Sequence, residues 1–250
     1  MTQLKYGWVL SLIFWLAISK VYGQLESVEA HYRQLERQAK HEPTTLHFVQ
    51  ADANLVDDYA HLSQIILIRH GKPTLKHRGW KKRDEVMQYV IAYDSVGVYP
   101  PQVIPLSLAP EELTIIHTSS LNRSISTAQQ VFGLEELLQP DTLFREFERK
   151  IFAFPNLKLP TRLWLTGSRI LWFLGLNDKG IESRAVAKTR AQKAAGVLEE
   201  DAIKQGKTLL VAHGLLNRYL EKYLNRRGWK TVYDGGNGYF SQKMLVRYRL

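Results

Sequence analysis

The chain has 250 residues, 45% of them hydrophobic, which is enough to bury one full-sized core. Its 34 Lys and Arg against 24 Asp and Glu give a formal charge of +10, a balance that favours anionic partners: phosphorylated molecules, nucleic acid or an anionic membrane surface. Cysteine is absent, which excludes disulfides, a cysteine nucleophile, thiolate metal sites and lipid attachment through an N-terminal Cys.

Lys5 precedes an apolar run from Gly7 to Ile18, and small or polar residues follow around Gly23. A charge, a short apolar run and then small residues make the pattern of a secretory signal peptide, cleaved near Gly23–Gln24. The run is short for a membrane span, which needs roughly 20 apolar residues. Residues 1–23 are therefore expected to be a signal, and the mature protein to be exported, periplasmic or extracellular. Left uncleaved, residues 7–18 would anchor it to a membrane. Residues 24–61 read as an N-terminal helical extension, with a polar helix over 25–41 on the outside of the domain and a turn at Glu42–Thr45.

The main domain is expected over 62–250. Its first strand, 64–69, is continuously apolar and runs into Arg69, His70, Gly71 and Lys72. A basic cluster follows (Lys76, His77, Arg78, Lys81, Lys82, Arg83), readable as a solvated loop or as an electrostatic funnel. A helix is predicted over 84–93, with Val86, Tyr89, Val90 and Tyr93 on one face. The stretch around Pro100, Pro101 and Pro105 is irregular. A strand over 113–117 leads to Thr118, Ser119 and Ser120. A helix opens near 121–123, with Ser119 or Ser120 as its expected N-cap. His117 reads as structural.

A short segment at 143–149 precedes an apolar helix over 163–174. That helix is too short and too interrupted, by Thr166–Arg169, to span a bilayer. Core or lid packing is the plain reading, and a dimer or membrane-contact face the alternative. A polar helix over 182–204, a strand over 208–212, a helix over 215–224 and a strand over 243–249 complete the chain. The 208–212 strand again ends in His-Gly, at His213 and Gly214. Short apolar strands alternating with helices predict an α/β three-layer sandwich, with a mostly parallel central sheet flanked by helices on both faces.

Two strands delivering histidines to the sheet's C-terminal edge put both imidazoles where ligands bind in open α/β sheets. Arg69, His70, Arg123, Glu146 and His213 together match what phosphoryl transfer needs. Arginine forks hold phosphate oxygens, a neutral imidazole can attack phosphorus, and a carboxylic acid can protonate the departing alkoxide. Glu148 is the alternative acid, because residues two apart in an extended segment share a face. No metal or other cofactor is required.

Ile68-Arg69-His70-Gly71-Lys72-Pro73 resembles the signature of the histidine phosphatase superfamily, the phosphoglycerate mutase-like enzymes. His117–Ala128, with Leu121, Arg123 and Thr127, is similar to that family's second motif. Phe144-Arg145-Glu146-Phe147 sits where its acid is expected, and Val211-Ala212-His213-Gly214 matches its last motif. The resemblance covers roughly residues 62 to 250. It implies that His70 is the nucleophile forming a phosphohistidine. Arg69, Arg123 and His213 would hold the phosphoryl group, with Lys72 as a further substrate contact. Glu146 would protonate the leaving group and then activate water.

The polar loop by which mutases recognise a phosphorylated glycerate has no match in Thr74–Arg83. Ile151-Phe-Ala-Phe-Pro replaces the Gly- and Trp-containing turn of many members. The resemblance thus implies a phosphomonoester hydrolase acting on a small anionic substrate, with no nucleic-acid partner expected and the oligomeric state open. A phosphomutase, a phosphoprotein phosphatase and a phosphate-binding module of low turnover are the alternatives.

Overall fold

Strand β1, Leu62–Arg69, is buried along its whole length except at Arg69, as befits a strand covered on both faces. Alternate residues go to opposite sides. Ile65 and Leu67 join one core cluster, Ile66 and Ile68 the other. In the computed structural model, residues 15, 16, 18–20, 22, 23, 25–30, 33, 47–49, 61–75, 79–101, 115–133 and 135–248 are described.

The other strands of the main sheet are β3 (Ile116–Ser119), β4 (Leu138–Asp141), β6 (Lys207–Ala212), β7 (Lys230–Asp234) and β8 (Gln242–Tyr248). They are ordered β4-β3-β6-β1-β8-β7. The pairs β4–β3, β3–β6 and β6–β1 are parallel, whereas β8 runs antiparallel to both β1 and β7. The sheet is thus mostly parallel, as expected. A short ribbon of β2 (Trp80–Lys81) and β5 (Leu159–Pro160) stands apart from it.

Helices cover both faces. On one side lie α4 (Arg184–Gln205) and α5 (Gly214–Asn225). The inner stripe of α4 is largely alanine (Ala187, Ala191, Ala194, Ala195, Ala202), which packs with Leu216 and Leu220 of α5 on Ile65 and Leu67. On the other side lie α2 (Asn122–Phe132), through Ala128, and the N-terminal extension, through Val28, Phe48 and Val49. Residues 25–30 and 33 of that extension are helical. Val28 is fully buried, so one side of the segment enters the core instead of lying on the outside. Gln64 fixes it by exchanging two hydrogen bonds with the Val49 backbone, at 2.8 and 3.1 Å.

Helices α1 (Arg83–Ser95) and α3 (Thr161–Phe173) build the remaining wall. The apolar segment of α3 divides by face. Trp164 and Trp172 are buried, their indole N–H groups donating to Lys81 O and Glu182 O, while Leu163 and Ile170 point outward. No described helix is long and apolar enough to cross a membrane.

Several expectations change. β7 and β4 were not foreseen, since Lys230–Asp234 and Leu138–Asp141 are too polar to read as strands. Neither Ser119 nor Ser120 caps α2, because Leu121 occupies the cap position without a side-chain bond. Of the expected leader, residues 1–14, 17 and 21 lie outside the described residues. So do Lys76, His77, Arg78, Pro105, Leu113, Thr114, Arg249 and most of 34–60.

Candidate active site

The parallel register Arg69↔Ala212 makes the next residues of β1 and β6 neighbours, and those residues are His70 and His213. His70 N–H donates to Ala212 O at 2.9 Å, and the ring centroids stand 5.2 Å apart at 62°. The register Thr118↔Val211 brings Ser119 beside them.

His70 is 3% exposed, and its Nδ1 lies 2.8 Å from Gly71 O. A carbonyl only accepts, so the hydrogen-bond partner assigns the ring proton to Nδ1 and leaves the Nε2 lone pair bare. Burial, then the charges of Arg123 and Arg69, push its pKa down to about 3 against the opposing Gly71 hydrogen bond, so the ring is neutral near pH 7. His213 is fully buried. Burial, then Arg123 and His70, lower its pKa as well.

The His213 Nε2 is 2.8 Å from Ser119 Oγ, with Ser124 Oγ at 3.5 Å. Ser119 Oγ also accepts the Leu121 N–H at 3.3 Å, and keeps its own hydrogen and a second lone pair for His213. The His213 Nδ1 has no partner within the protein, and a proton there would leave Nε2 to accept the Ser119 hydrogen.

Arg123, 2% exposed in the first turn of α2, donates through Nη1 to Tyr93 O at 3.0 Å and Asp94 Oδ1 at 2.8 Å, with its Cζ 4.6 Å from the Tyr93 ring centroid. Arg69 donates to Asn237 O and stacks on Tyr239 at 4.6 Å. Both arginines are oriented from one end, and the Nε of each is buried without a partner. Two buried arginine N–H donors and the unpartnered His213 Nδ1, beside a bare imidazole nitrogen, make an anion-binding site.

The remaining motif residues serve this arrangement. Thr127 Oγ1 accepts the Gly71 N–H at 2.9 Å and donates to Arg123 O at 2.6 Å, tying the two motifs together. Both glycines make room: a Cβ on Gly71 would stand 2.4 Å from the Phe240 ring, and one on Gly214 would stand 3.2 Å from Arg69 Nε. Phe240 itself holds a left-handed backbone at φ 59°, where a non-glycine residue is strained. His117 bonds Asp201 at 2.7 Å and packs on Phe144, a structural place as expected.

Glu146 accepts N–H bonds from Leu215 and Leu216 at 3.3 and 3.2 Å, in the first turn of the helix that His213 begins. Glu148 turns away from that helix and accepts the Glu182 N–H at 2.5 Å. Both line one cavity of about 710 Å³ with His70, Arg69 and Arg123, but only Glu146 is tied to the His213 element. The segment carrying them has no strand partner. Instead Arg190 donates to Leu143 O and Arg145 O, and Arg169 to Phe147 O and Glu148 O. Among the described residues no cluster of three His, Asp or Glu side chains could hold a metal ion, and the positive charge of the cavity comes from arginine.

Known structures similar to the chain are of phosphoglycerate mutase-like proteins and phosphatases. A phosphoglycerate mutase from Bacillus anthracis is 18% identical, with 75% of this chain and 89% of that one covered and a TM-score of 0.48. A mycobacterial glucosyl-3-phosphoglycerate phosphatase is 19% identical over 74% and 90%, with a TM-score of 0.42. A phosphoserine phosphatase from Entamoeba histolytica, in complex with 3-phosphoglyceric acid, is 18% identical over 72% and 89%, with a TM-score of 0.40. No family model and no curated protein matches the chain.

Lys72, expected to touch substrate, lies outside the cavity wall, with its Nζ 5.9 Å from the Tyr99 ring centroid. The described part of the expected basic funnel, Lys81, Lys82 and Arg83, is also absent from the wall. Arg83 is held by Phe152 O at 3.2 Å. Arginines from the acid segment and its clamps, Arg145, Arg149, Arg169 and Arg190, take that place. Tyr93 and Tyr239, which stack on the two site arginines, carry no motif signal. Tyr93 reads as part of an apolar helix face, and Tyr239 sits in a loop 170 residues beyond Arg69 in sequence.

Proposed function

We propose that the protein is an exported phosphomonoesterase that hydrolyses small anionic substrates through a phosphohistidine on His70, with no metal in the chemistry. The observation that carries this reading is the bare Nε2 of His70 beside three unpartnered nitrogens, Arg69 Nε, Arg123 Nε and His213 Nδ1, the last a donor when it carries the ring proton.

In the first step Nε2 attacks phosphorus. The N–P bond forms as the ester P–O bond breaks, and protonated Glu146 gives its proton to the departing oxygen. The three donors hold the equatorial phosphoryl oxygens, whose charge arginine matches in geometry as well as sign. In the second step the Glu146 carboxylate takes a proton from water, whose oxygen attacks phosphorus. The N–P bond breaks, inorganic phosphate leaves, and His70 and Glu146 return to their starting forms. Export is supported by the charge, apolar run and small residues of the first 23 positions.

Hydrolysis of p-nitrophenyl phosphate with EDTA present tests the reading, comparing wild type with His70→Ala and Glu146→Gln. Activity that survives EDTA and is lost in His70→Ala is the expected result, with acid-labile, base-stable 32P on the wild type after quenching in alkaline detergent. Full activity in His70→Ala, or no labelled enzyme, overturns it.

A further inference from the structure

The inner side of helix α3 is fully used by the fold. Trp164, Ser168 and Trp172 are buried, and Leu165 and Arg169 line the cavity. The outer side has no such task. Leu163, Ile170 and Leu174 are 57, 53 and 66% exposed. Seven and four residues apart, they form one stripe along the helix. Trp80 extends the stripe at its start: it pairs with Pro160, the residue before the helix, and is 62% exposed. Leu157 and Leu176, which flank the helix in sequence, are exposed as well. Outward apolar side chains gathered in this way mark a contact surface.

The charges around the stripe are of one sign. From Arg149 to Leu176 the chain carries Arg149, Lys150, Lys158, Arg162 and Arg169, and no Asp or Glu. Arg149 and Arg169 line the cavity, whereas Lys158 and Arg162 are exposed at the start of the helix. Arg184, also exposed, stands at its other end and donates to Phe173 O at 3.2 Å. Asp84 reaches the first end through Asn156, but Arg83 pairs with it at 3.6 Å.

An apolar stripe between exposed cations suits a helix lying in the interface of an anionic bilayer, with its apolar side among the acyl chains and its cations at the headgroups. A tryptophan at the margin suits the same boundary. A second copy of the chain fits less well. A two-fold contact would set the cations of one stripe against those of the other, with no acid on α3 to answer them.

We propose that the outer face of α3, together with Trp80, docks the protein on an anionic lipid surface. The proposal stands apart from the chemistry assigned to His70, because none of these outward residues lines the cavity.

The chain has no cysteine, so one introduced thiol carries an environment-sensitive fluorophore to one chosen place. Thr166→Cys puts it on the outer side of α3, and Lys193→Cys on the exposed side of α4 as a control. Both variants keep the same N-terminus, so lipid binding through residues 7–18 would not set the two labels apart. With vesicles of phosphatidylglycerol and phosphatidylcholine, the Thr166→Cys label is expected to shift to the blue and the Lys193→Cys label to stay unchanged. Adding Leu163→Ser and Ile170→Ser should raise the vesicle concentration at half-response by roughly tenfold or more. Arg162→Gln should raise it about fivefold, and phosphatidylcholine alone should give no response. These positions are exposed, so thermal unfolding should not change. A Thr166→Cys label that ignores the vesicles, moves no more than the control, or responds equally to phosphatidylcholine alone overturns the proposal. An unchanged half-response in the Leu163→Ser, Ile170→Ser variant does so too. A dimer that those two substitutions dissociate, with the label unmoved by vesicles, overturns it by giving the face to a second copy. A label that answers polyglutamate and not vesicles overturns it by giving the face to an acidic protein.

Discussion

The two His-Gly junctions look alike in sequence and end in opposite chemistry. Each follows a buried parallel strand, and the strands are hydrogen-bonded neighbours. After β1, His70 gives its Nδ1 proton to the carbonyl of its own neighbour, Gly71, and keeps a bare Nε2. After β6, His213 begins a helix and shares a hydrogen bond with the Ser119 hydroxyl at Nε2, while its Nδ1 has no partner within the protein. One ring can thereby present a lone pair to a ligand, and the other an N–H. The residue type does not distinguish them; the partner of the other nitrogen does.

The sharpest way to break this comparison is to remove each ring. His70→Ala should lower kcat on p-nitrophenyl phosphate on the order of 10⁵-fold, since the covalent step is lost. His213→Ala should cost about a hundredfold to a thousandfold, the range for one lost oxyanion donor, while phosphohistidine still forms. Equal losses, or no labelled enzyme in His213→Ala, would erase the distinction.

Acidity probes what the rings share. Both are held neutral by burial, His70 down to about 3. The unfolded chain, with ordinary histidines near 6.5, binds protons between pH 6.5 and 3 that the folded chain does not. Stability is therefore fully present above pH 6.5 and declines as pH falls through that window, by about 2 kcal/mol at pH 5 from His70, with His213 acting in the same direction. Urea unfolding at pH 7 and pH 5 should show the decline, and a smaller one in His70→Ala. Unchanged stability would mean that the rings charge freely in the fold.

The two glycines separate fold from function. Gly71→Ala drives a methyl into the Phe240 ring and should cost about 1–3 kcal/mol in thermal unfolding, partly restored by Phe240→Leu. Gly214→Ala meets only the Arg69 side chain at 3.2 Å, so it should spare stability and raise KM. The smallest effect is expected from Ser119→Ala, about a tenfold loss in kcat/KM. Its decisive readout is 15N NMR of His213: an Nδ1–H form that dominates in wild type and no longer does in the variant marks Ser119 as the donor. An unchanged tautomer would show that Ser119 does not set it.

Much of this was legible because it is local. Apolar runs of five or six residues ending in His-Gly fix β1 and β6. The alternation of Ile65, Ile66, Leu67 and Ile68 between two clusters follows from any strand covered on both faces. Arg123 and Thr127 could be chosen only through their resemblance to a family motif, since a lone arginine on a helix reads as an ordinary surface residue. The less legible parts depend on contacts distant in sequence. Ser119 reads locally as a helix cap, but its hydroxyl goes to a histidine 94 residues away. β7 is polar because it is an edge strand, supported by pairing with β8 and not by burial on both sides. Lys72 sits two residues from His70 in sequence yet turns to Tyr99, whereas Arg149 reaches the cavity from a segment without regular structure.

That segment deserves one last consequence. Its carbonyls at Leu143, Arg145, Phe147 and Glu148 are gripped by two guanidinium groups from separate helices, Arg190 of α4 and Arg169 of α3. A coil held this way behaves as a suspension bridge, with Glu146 on its deck and a pylon at either end. Slippage of one helix against the other would move the proton donor while leaving the sheet, the two histidines and the phosphoryl cradle untouched. On warming, such a molecule should still become phosphorylated by activated aryl esters, whose phenolate departs unaided, after it has ceased to turn over alkyl esters that need the proton.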